Sequence, residues 1–372
     1  MHDVAIIGGG LAGLASSIEL SLKGYDVVLF EKNQYPFHRV CGEYISNESA
    51  DYLNHLGVKL EELGAARINR FALSTERGKK LSTNLPLGGI GISRYTLDHE
   101  LVKISKRLGT TVHDNTNVIQ AQHQNLNTSK GDFQARIIIG AQGKRSNIDK
   151  QLKRAFIQTP LKNESNFIGV KYHLNADLPK DLIELHLFKD GYCGISAIEE
   201  DKYCFCYLSK SSNLKAGMNI EDLEDKVLSK NPILKDYLSR FEKRYDQPKV
   251  ISQINFQNKE KEASSILFAG DAAGLIAPLS GNGMSMALQS AHLLQKEVAL
   301  FLDQKQNLET TSTNYSSAWN KAFKTRFAFS GLMQKAFFNP IFMAGLVYSA
   351  NNFPPLATMI IRKTHGEEFY KG

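Results

Sequence analysis

The chain has 372 residues, of which 42% are hydrophobic and 22% charged, a composition that is typical of globular proteins and excludes a disordered or collagen-like chain. At about 150 residues per domain, this length predicts two to three domains. The net charge of +7 permits anionic partners, from nucleotides to membrane surfaces, without selecting one of them, and we expect no nucleic-acid partner.

The first elements along the chain are a strand, a glycine turn, a helix and a second strand. Val4–Ile7 is a short apolar run, and Gly8-Gly9-Gly10-Leu11-Ala12-Gly13 follows it directly. Apolar residues then recur at helical spacing as far as Gly24, which is typical of the end of a helix. The second strand, Val27–Phe30, ends in Glu31.

This arrangement predicts a dinucleotide site. Gly8 permits the tight turn, Gly10 lets a pyrophosphate approach the backbone, and Gly13 lets the helix lie close to the strand. Backbone amides at the start of the helix hold the phosphates, and Glu31 accepts hydrogen bonds from a ribose. The residues that we predict to contact the dinucleotide here are Gly8, Gly10, Leu11, Ala12, Gly13, Glu31 and Lys32.

Two later segments are needed to decide which dinucleotide binds. The strand Arg136–Ile139 runs into Gly140-Ala141-Gln142-Gly143-Lys144-Arg145-Ser146, and the strand Ile266–Ala269 runs into Gly270-Asp271-Ala272-Ala273-Gly274. Pro278, Gly281 and Gly283 follow, and a helix is predicted from Met284. With the first motif, these segments resemble the superfamily of FAD-dependent aromatic hydroxylases and geranylgeranyl reductases, which share the p-hydroxybenzoate hydroxylase fold.

The resemblance implies FAD as the cofactor and assigns further contacts. Asp271 would bond the ribityl chain, and the segment from Gly281 to Met284 would face the pyrimidine edge of the flavin. Arg39 could contact the pyrophosphate, Cys41-Gly42 would lie beside the flavin, and Val118 would lie by the adenine, on a strand that starts near Thr111. The complete set of contacts implied by the resemblance is Arg39, Cys41, Gly42, Arg94, Val118, Gly143, Gly270, Asp271, Pro278, Gly281, Asn282, Gly283 and Met284.

One position departs from the family pattern. The family usually has an acid where this chain has Gln142, so contacts assigned to that acid, including any with a nicotinamide coenzyme, are not carried over. No second Gly-x-Gly-x-x-Gly motif is present, so we expect NAD(P)H to bind only transiently as the electron donor. The basic run Lys144–Arg154 is predicted to be a solvated helix face.

The motifs lie at both ends of the chain, so the predicted FAD-binding domain is discontinuous. The fold class is α/β: a Rossmann-like FAD-binding domain of the p-hydroxybenzoate hydroxylase (GR2) type, an antiparallel-sheet substrate domain and a helical C-terminus. We assign residues 1–75, 92–165 and 255–335 to the FAD-binding domain, 76–91 and 166–254 to the substrate domain, and 336–372 to the C-terminal segment. In the substrate domain Ile183, Leu185 and Leu187 alternate with polar residues, which predicts a half-buried sheet.

Three functions remain open. The first is an NAD(P)H-dependent monooxygenase that hydroxylates a phenolic or lipid-tailed aromatic compound through a flavin C4a-hydroperoxide. The second is a flavin-dependent ene-reductase of a prenyl or polyene lipid, and the third is a flavin-holding protein or cyclase without net redox turnover. Cys41, Tyr44 and Tyr192 are catalytic candidates, although none is assigned as a base.

The end of the chain and the cysteines bear on partners and location. Seven phenylalanines between 323 and 353 occur with several lysines and arginines, which predicts either helices packed on the FAD-binding domain or a basic, apolar mouth that admits a hydrophobic substrate from a membrane or carrier. Four cysteines do not make a disulfide framework, Cys204 and Cys206 lack a second pair at zinc spacing, and we expect no metal. We expect a cytoplasmic protein without a signal peptide or spanning helix, in contact at most with the inner membrane surface.

Overall fold

The computed structural model describes residues 1–158, 166–245, 247–254, 256–277, 281–364 and 366–371. The strands are β1 (His2–Ile7), β2 (Val27–Phe30), β3 (Tyr44–Ser46), β4 (Ala66–Ser74), β5 (Lys80–Gly91), β6 (Thr111–His113), β7 (Val118–Gln122), β8 (Asn125–Thr128), β9 (Gly131–Gly140), β10 (Phe167–Asn175), β11 (Leu182–Phe188), β12 (Gly191–Ala197), β13 (Lys202–Lys210), β14 (Glu242–Lys243), β15 (Lys249–Ile254), β16 (Gln257–Asn258), β17 (Glu262–Ala263), β18 (Ile266–Phe268) and β19 (Gly274–Leu275). The helices are α1 (Leu11–Leu22), α2 (Ala50–His55), α3 (Arg94–Arg107), α4 (Asn147–Gln151), α5 (Ala155–Gln158), α6 (Ile220–Lys226), α7 (Pro232–Arg240), α8 (Gly283–Leu302), α9 (Leu308–Phe337), α10 (Pro340–Asn352) and α11 (Pro354–Thr364).

The first sheet is parallel through its centre, in the order β18-β9-β1-β2-β6. Strand β1 is central, because Val4 pairs with Val27 on one side and with Ile137 on the other. Its residues from Val4 to Ile6 are fully buried, as expected of a parallel strand covered on both faces. Because parallel strands end at one edge, the glycine turns after β1, β9 and β18 lie side by side there.

The second sheet has the order β14-β10-β13-β12-β11-β4-β5-β3. Most neighbours are antiparallel, and the pair β4–β11 is parallel, so the predicted antiparallel sheet is in fact mixed. Strands β10, β13, β12 and β11 are neighbours in this sheet, and the predicted fold class is confirmed. The division into domains stays a prediction.

The prediction of a half-buried sheet is wrong at β11. Glu184 and His186 are buried rather than solvated, because α7 covers that face and Tyr237 donates a hydrogen bond to Glu184 at 2.6 Å. Lys80 also pairs with Glu184, and Ser74 bonds His186 at 2.8 Å. The strand predicted to run from Thr111 to Val118 is also wrong, because these residues lie on two strands, β6 and β7.

The C-terminal helices α9, α10 and α11 pack on each other and close one side of the second sheet. The tail then returns to the first domain, where the Tyr370 hydroxyl bonds His55 at 2.7 Å. Within the part of the chain that the structure describes, no helix combines the length and apolar character needed to cross a membrane.

Candidate functional site

One cavity of about 1170 Å³ is lined by residues of both sheets and of the C-terminal helices. It brings together most residues that the sequence predicts to contact the cofactor: Gly8, Gly10, Leu11, Ala12, Glu31, Lys32, Arg39, Cys41, Gly42, Arg94, Val118, Gly143, Gly270, Asp271, Gly281, Gly283 and Met284. The catalytic candidates Tyr44 and Tyr192 line the same cavity. Gly13 and the fully buried Asn282 lie outside its lining, and Pro278 falls outside the described residues.

The glycines of the first turn differ in what surrounds them. A Cβ on Gly8 would overlap the carbonyl oxygen of Ala141, and Gly8 has a φ of +101°. A Cβ on Gly13 would overlap the carbonyl oxygen of Gly8, so both glycines are required by packing. At Gly10 the nearest atom is Nη2 of Arg94, 3.7 Å from the Cβ position, so the space there is open to a pyrophosphate.

Glu31 is fixed by the backbone and by a cation. Its Oε2 accepts hydrogen bonds from the amide of Gly9 at 2.9 Å and from Arg39 at 3.1 Å, and its Oε1 accepts one from the amide of Asn33 at 3.0 Å. The side-chain amide of Asn33 also donates to Oε1, at 2.8 Å, so each carboxylate oxygen already accepts two hydrogen bonds, and a ribose hydroxyl would take the place of one of these donors.

Asp98 is a site residue that the sequence analysis missed. Buried at the second turn of α3, it accepts hydrogen bonds from Arg39 at 3.0 Å and from Arg94 at 2.7 Å. Arg94 and Asp98 are an i,i+4 pair on one helix face, and this spacing was the signal available in the sequence. Asp98 therefore orients both arginines toward the cavity.

Asp271 supplies an acceptor at the other end of the cofactor space. Burial raises the pKa of its carboxyl, and the nearby Lys259 and Arg94 act in the opposite direction. No hydrogen bond from another described residue reaches this carboxylate, which lines the cavity. Helix α8 begins beside it at Gly283, so its positive N-terminal end also faces the cavity. An acceptor next to a helix N-terminus fits a ribityl chain followed by a flavin that carries negative charge when reduced.

A buried ion cluster lies behind Cys41 and Gly42. The Glu43 carboxylate accepts hydrogen bonds from Lys171, from His173 at 2.6 Å and from the amide of Arg94 at 2.9 Å. Burial alone would raise the pKa of Glu43, but Lys171 and His173 outweigh it and hold the pKa at about 2. The Lys171 ammonium also donates to the carbonyl of Arg39 at 3.1 Å. The sequence analysis missed this cluster, because its members are far apart along the chain.

The far half of the cavity is apolar, and we call it the chamber. Its walls come from β4, β5 and β11, from Phe256, and from α9, α10 and α11. They include Phe71, Leu73, Leu81, Leu85, Ile183, Leu185, Phe256, Phe337, Leu346 and Ile361. Phe338 instead packs on Phe167, with ring centroids 5.6 Å apart, and Phe342 is half exposed. Phe323 and Phe327 pack in the core of the first sheet, as predicted for helices packed on the FAD-binding domain, whereas Phe338 packs on the predicted substrate domain and the mouth stays a prediction.

The basic run Lys144–Arg154 is exposed at Arg145, Lys150 and Lys153, as predicted, but the prediction of a solvated face is wrong for Arg154. Lys144, Arg145 and Lys150 line the cavity, whereas Arg154 is buried and pairs with Asp149 at 2.8 Å. Gln142 donates a hydrogen bond to the same Asp149 at 3.1 Å. Asp149 thus places a carboxylate directly behind the glutamine that replaces the usual acid.

Comparison with known proteins identifies the family. A family model described as an FAD binding domain matches residues 1–322. The chain belongs to this family. FAD is therefore its cofactor, and the protein is an FAD-dependent oxidoreductase, as the sequence predicted.

The chain is similar to two named proteins and to one solved structure over most of its length. Conditioned medium factor receptor 1 of Dictyostelium discoideum is 24% identical over 90% of this chain and 70% of its own length. Digeranylgeranylglycerophospholipid reductase of Methanococcus aeolicus is 22% identical over 87% of this chain and 83% of its own. A crystal structure described as a flavoprotein/dehydrogenase from Cytophaga hutchinsonii shares the fold with a TM-score of 0.81, at 16% identity, over 100% of this chain and 94% of the other.

The catalytic candidates of this FAD-dependent oxidoreductase hold their protons. Burial raises the pKa of the Cys41 thiol, and burial raises the pKa of both Tyr44 and Tyr192. The Cys41 sulfur lies 3.4 Å from the sulfur of Met284, at the first turn of α8. A Cβ on Gly281 would lie 3.1 Å from the Tyr44 ring, so Tyr44 borders the same segment. These groups can donate a proton at neutral pH but cannot accept one.

Proposed function

We propose that this FAD-dependent oxidoreductase saturates a carbon–carbon double bond in a long apolar lipid, such as a prenyl or polyene chain. The observation that carries the proposal is the single cavity that joins the cofactor-contacting residues to the apolar chamber, with protonated groups at the junction. A lipid chain in the chamber would gain about 0.8 kcal/mol for each methylene removed from water.

The protonation states of Cys41, Tyr44 and Tyr192 suit reduction, whereas the His38 imidazole in the same cavity, whose pKa burial lowers to about 4, is neutral at pH 7 and could serve as the base of a hydroxylation. Ionising a phenol requires a general base, whereas completing an alkene reduction requires a proton donor. Cys41, Tyr44 and Tyr192 have raised pKa values, so none of them is a base at neutral pH and each keeps a proton that the reduction can use. The carboxylate of Glu43 already accepts hydrogen bonds from Lys171 and His173, and its pKa of about 2 makes it a weak base.

In this proposal the residues around the flavin have distinct tasks. Reduced FAD, when bound, supplies a hydride. The Cys41 thiol, beside Met284, donates a proton to the second carbon of the double bond. The chamber orients the chain and excludes water, which prevents competing reactions at the double bond. NAD(P)H is proposed as the transient electron donor, and the Methanococcus aeolicus relative, named as a reductase of a prenylated phospholipid, supports the choice of substrate class.

Oxygenation is the second candidate, because the same dry chamber would suit a monooxygenase acting on a lipid-tailed aromatic compound. Incubation of the protein with geranylgeraniol and NADPH, without oxygen, distinguishes the two reactions. We expect a product that has gained two hydrogen atoms, detected by mass spectrometry. A product that forms only in air and carries an added oxygen atom would replace the reductase proposal with the monooxygenase. The heat-denatured protein with free FAD is the control.

A further inference from the structure

Large apolar side chains are exposed together on the C-terminal helices. We call this surface the outer face; its apolar residues are Leu332, Ile341, Phe342, Tyr348, Phe353 and Met359. Ile341 is 86% exposed and Tyr348 71%. The other exposed large apolar residues of the described chain, such as Leu22 and Ile119, lie far apart in sequence and on other elements. Grouped exposure of this kind marks an interaction surface.

The exposed charges of the C-terminal helices are basic. Residues 310–366 contain no aspartate or glutamate, and the exposed basic side chains among them are Lys321, Lys324, Lys335 and Arg362, whereas Arg326 is largely buried and pairs with Glu48 at 3.2 Å. Helix α10 has no charged residue, although nine of its 13 positions are exposed. On α9, Lys321, Lys324, Leu332 and Lys335 recur at helical spacing along one exposed stripe, so the lysines flank the apolar residues.

The opposite faces of the same helices line the chamber. On α9 these residues are Met333 and Phe337, and on α10 they are Leu346 and Ala350. The helices therefore separate an apolar cavity from an exposed apolar surface by a single layer. We propose that the outer face docks the protein on an anionic lipid bilayer, with the apolar side chains of α10 in the acyl boundary and the lysines of α9 at the headgroups.

Other occupants fit the surface less well. A second copy related by two-fold symmetry would place the same lysines opposite each other, and like charges repel. An acidic carrier protein would pair with the lysines but would leave the uncharged face of α10 unmatched. A bilayer that contains anionic lipids matches both the apolar and the basic residues, and it is also the source of the lipid that the proposed reaction uses.

Co-sedimentation with vesicles tests the proposal on the full, FAD-loaded protein. The vesicles contain either phosphatidylcholine alone or phosphatidylcholine with phosphatidylglycerol, and no substrate is added. We expect binding to the anionic vesicles that weakens with salt, and little binding to the neutral ones. Ile341→Glu should weaken binding about tenfold, because it places a charge in the acyl boundary, and Lys335→Glu should weaken it to a similar extent.

Matched variants on other surfaces keep the test specific. Ile119→Glu on β7 and Lys106→Glu on α3 make the same changes at exposed positions away from the outer face, and they should bind like the unmodified protein. Retained FAD and an unchanged unfolding midpoint show that each variant is folded.

Two results would overturn the proposal: the unmodified protein does not bind anionic vesicles, or the outer-face variants bind them as well as the control variants do. If the protein does not bind vesicles but forms a dimer in solution, and Ile341→Glu dissociates that dimer, the outer face binds a second copy of the chain and not a bilayer. Binding is measured without turnover, so either result leaves the proposed reaction standing.

Discussion

The space around single glycines separates those needed for folding from those needed for the cofactor. A Cβ at Gly10 approaches no atom more closely than 3.7 Å, whereas a Cβ at Gly8 overlaps the protein backbone. We expect Gly10→Val to fold but to purify without FAD, because the branched side chain occupies the place of the pyrophosphate. Gly8→Val should instead lower the unfolding midpoint of the FAD-free protein. Bound FAD per chain and thermal unfolding are the measurements.

The matched control for Gly10→Val is Gly331→Val, at an exposed position of α9 where a Cβ meets nothing within 4 Å. This variant should retain FAD. Full FAD content in Gly10→Val would show that the pyrophosphate lies elsewhere.

Cys41 is the residue on which the proposed reduction depends most directly. Replacing it with alanine removes the proton donor beside Met284, and general acid catalysis is typically worth about 100-fold or more in rate. We therefore expect Cys41→Ala to lose at least that factor in turnover while FAD binding and KM stay close to those of the unmodified protein. Cys206→Ala, at a second cavity-lining cysteine, should keep its activity. Normal turnover in Cys41→Ala would transfer the donor role to Tyr44 or Tyr192.

At the level of elements, three neighbouring phenylalanines at the end of α9 and the start of α10 have different surroundings. We therefore expect a different effect when each of them is replaced. Phe337 lines the chamber, Phe338 stacks on Phe167, and Phe342 is half exposed. With detergent-dispersed substrates, shortening a lipid tail by two carbons should raise KM about tenfold at nearly constant turnover, since each methylene is worth about 0.8 kcal/mol. Phe337→Ser should reduce this dependence on chain length.

The other two phenylalanines are the controls for this experiment. Phe338→Ala should lower the free energy of unfolding by about 2 kcal/mol and leave the dependence on chain length intact. Phe342→Ser should change neither quantity. If Phe337→Ser lowers stability alone, the chamber does not hold the lipid tail.

Elements with a local signal were predictable from the sequence, and contacts between distant elements were not. The turn after β1 follows from the spacing of Gly8, Gly10 and Gly13, and the second predicted strand, Val27–Phe30, is β2. The burial of Glu184 depends on α7, which lies about fifty positions along the chain and covers the polar side of β11. Apolar and polar residues can alternate in a strand that is covered on both faces, provided that its buried acidic residue has a partner. The sequence of such a strand looks the same as that of a half-exposed strand.

The same limit applies to the site. Residues that meet the cofactor through the backbone left a glycine pattern, and most of them line the cavity. The cluster of Glu43, Lys171 and His173 left no pattern, because its members come from a loop and from β10, and they bond to each other and to the backbone of residues distant in sequence. Buried charges require such partners, but a sequence does not show which residues will meet.

At the scale of the whole molecule, the cavity-lining residues that we predict to contact the cofactor come from segments more than 250 positions apart. FAD therefore binds the folded chain and not the unfolded one, and it stabilises the fold by mass action, by about 2.7 kcal/mol at a concentration of one hundred times Kd. Removing FAD should lower the unfolding midpoint by several degrees, and adding it back should restore the midpoint.

The two halves of the cofactor can be separated by comparing FAD with FMN. Glu31 and Val118 line the part of the cavity that we assign to the adenosine, which FMN lacks, whereas Asp271 lies where we place the ribityl chain that both flavins share. Glu31→Gln should thus reduce the stabilisation by FAD and leave the smaller stabilisation by FMN unchanged. Asp271→Ala should weaken binding of both flavins by about 1–3 kcal/mol, the usual effect of leaving a buried hydroxyl without its partner. Thermal unfolding at several concentrations of each flavin measures both effects. Equal stabilisation of the unmodified protein by FAD and FMN would show that the adenosine makes no contact at Glu31, and an unchanged affinity in Asp271→Ala would move the ribityl chain away from the start of α8.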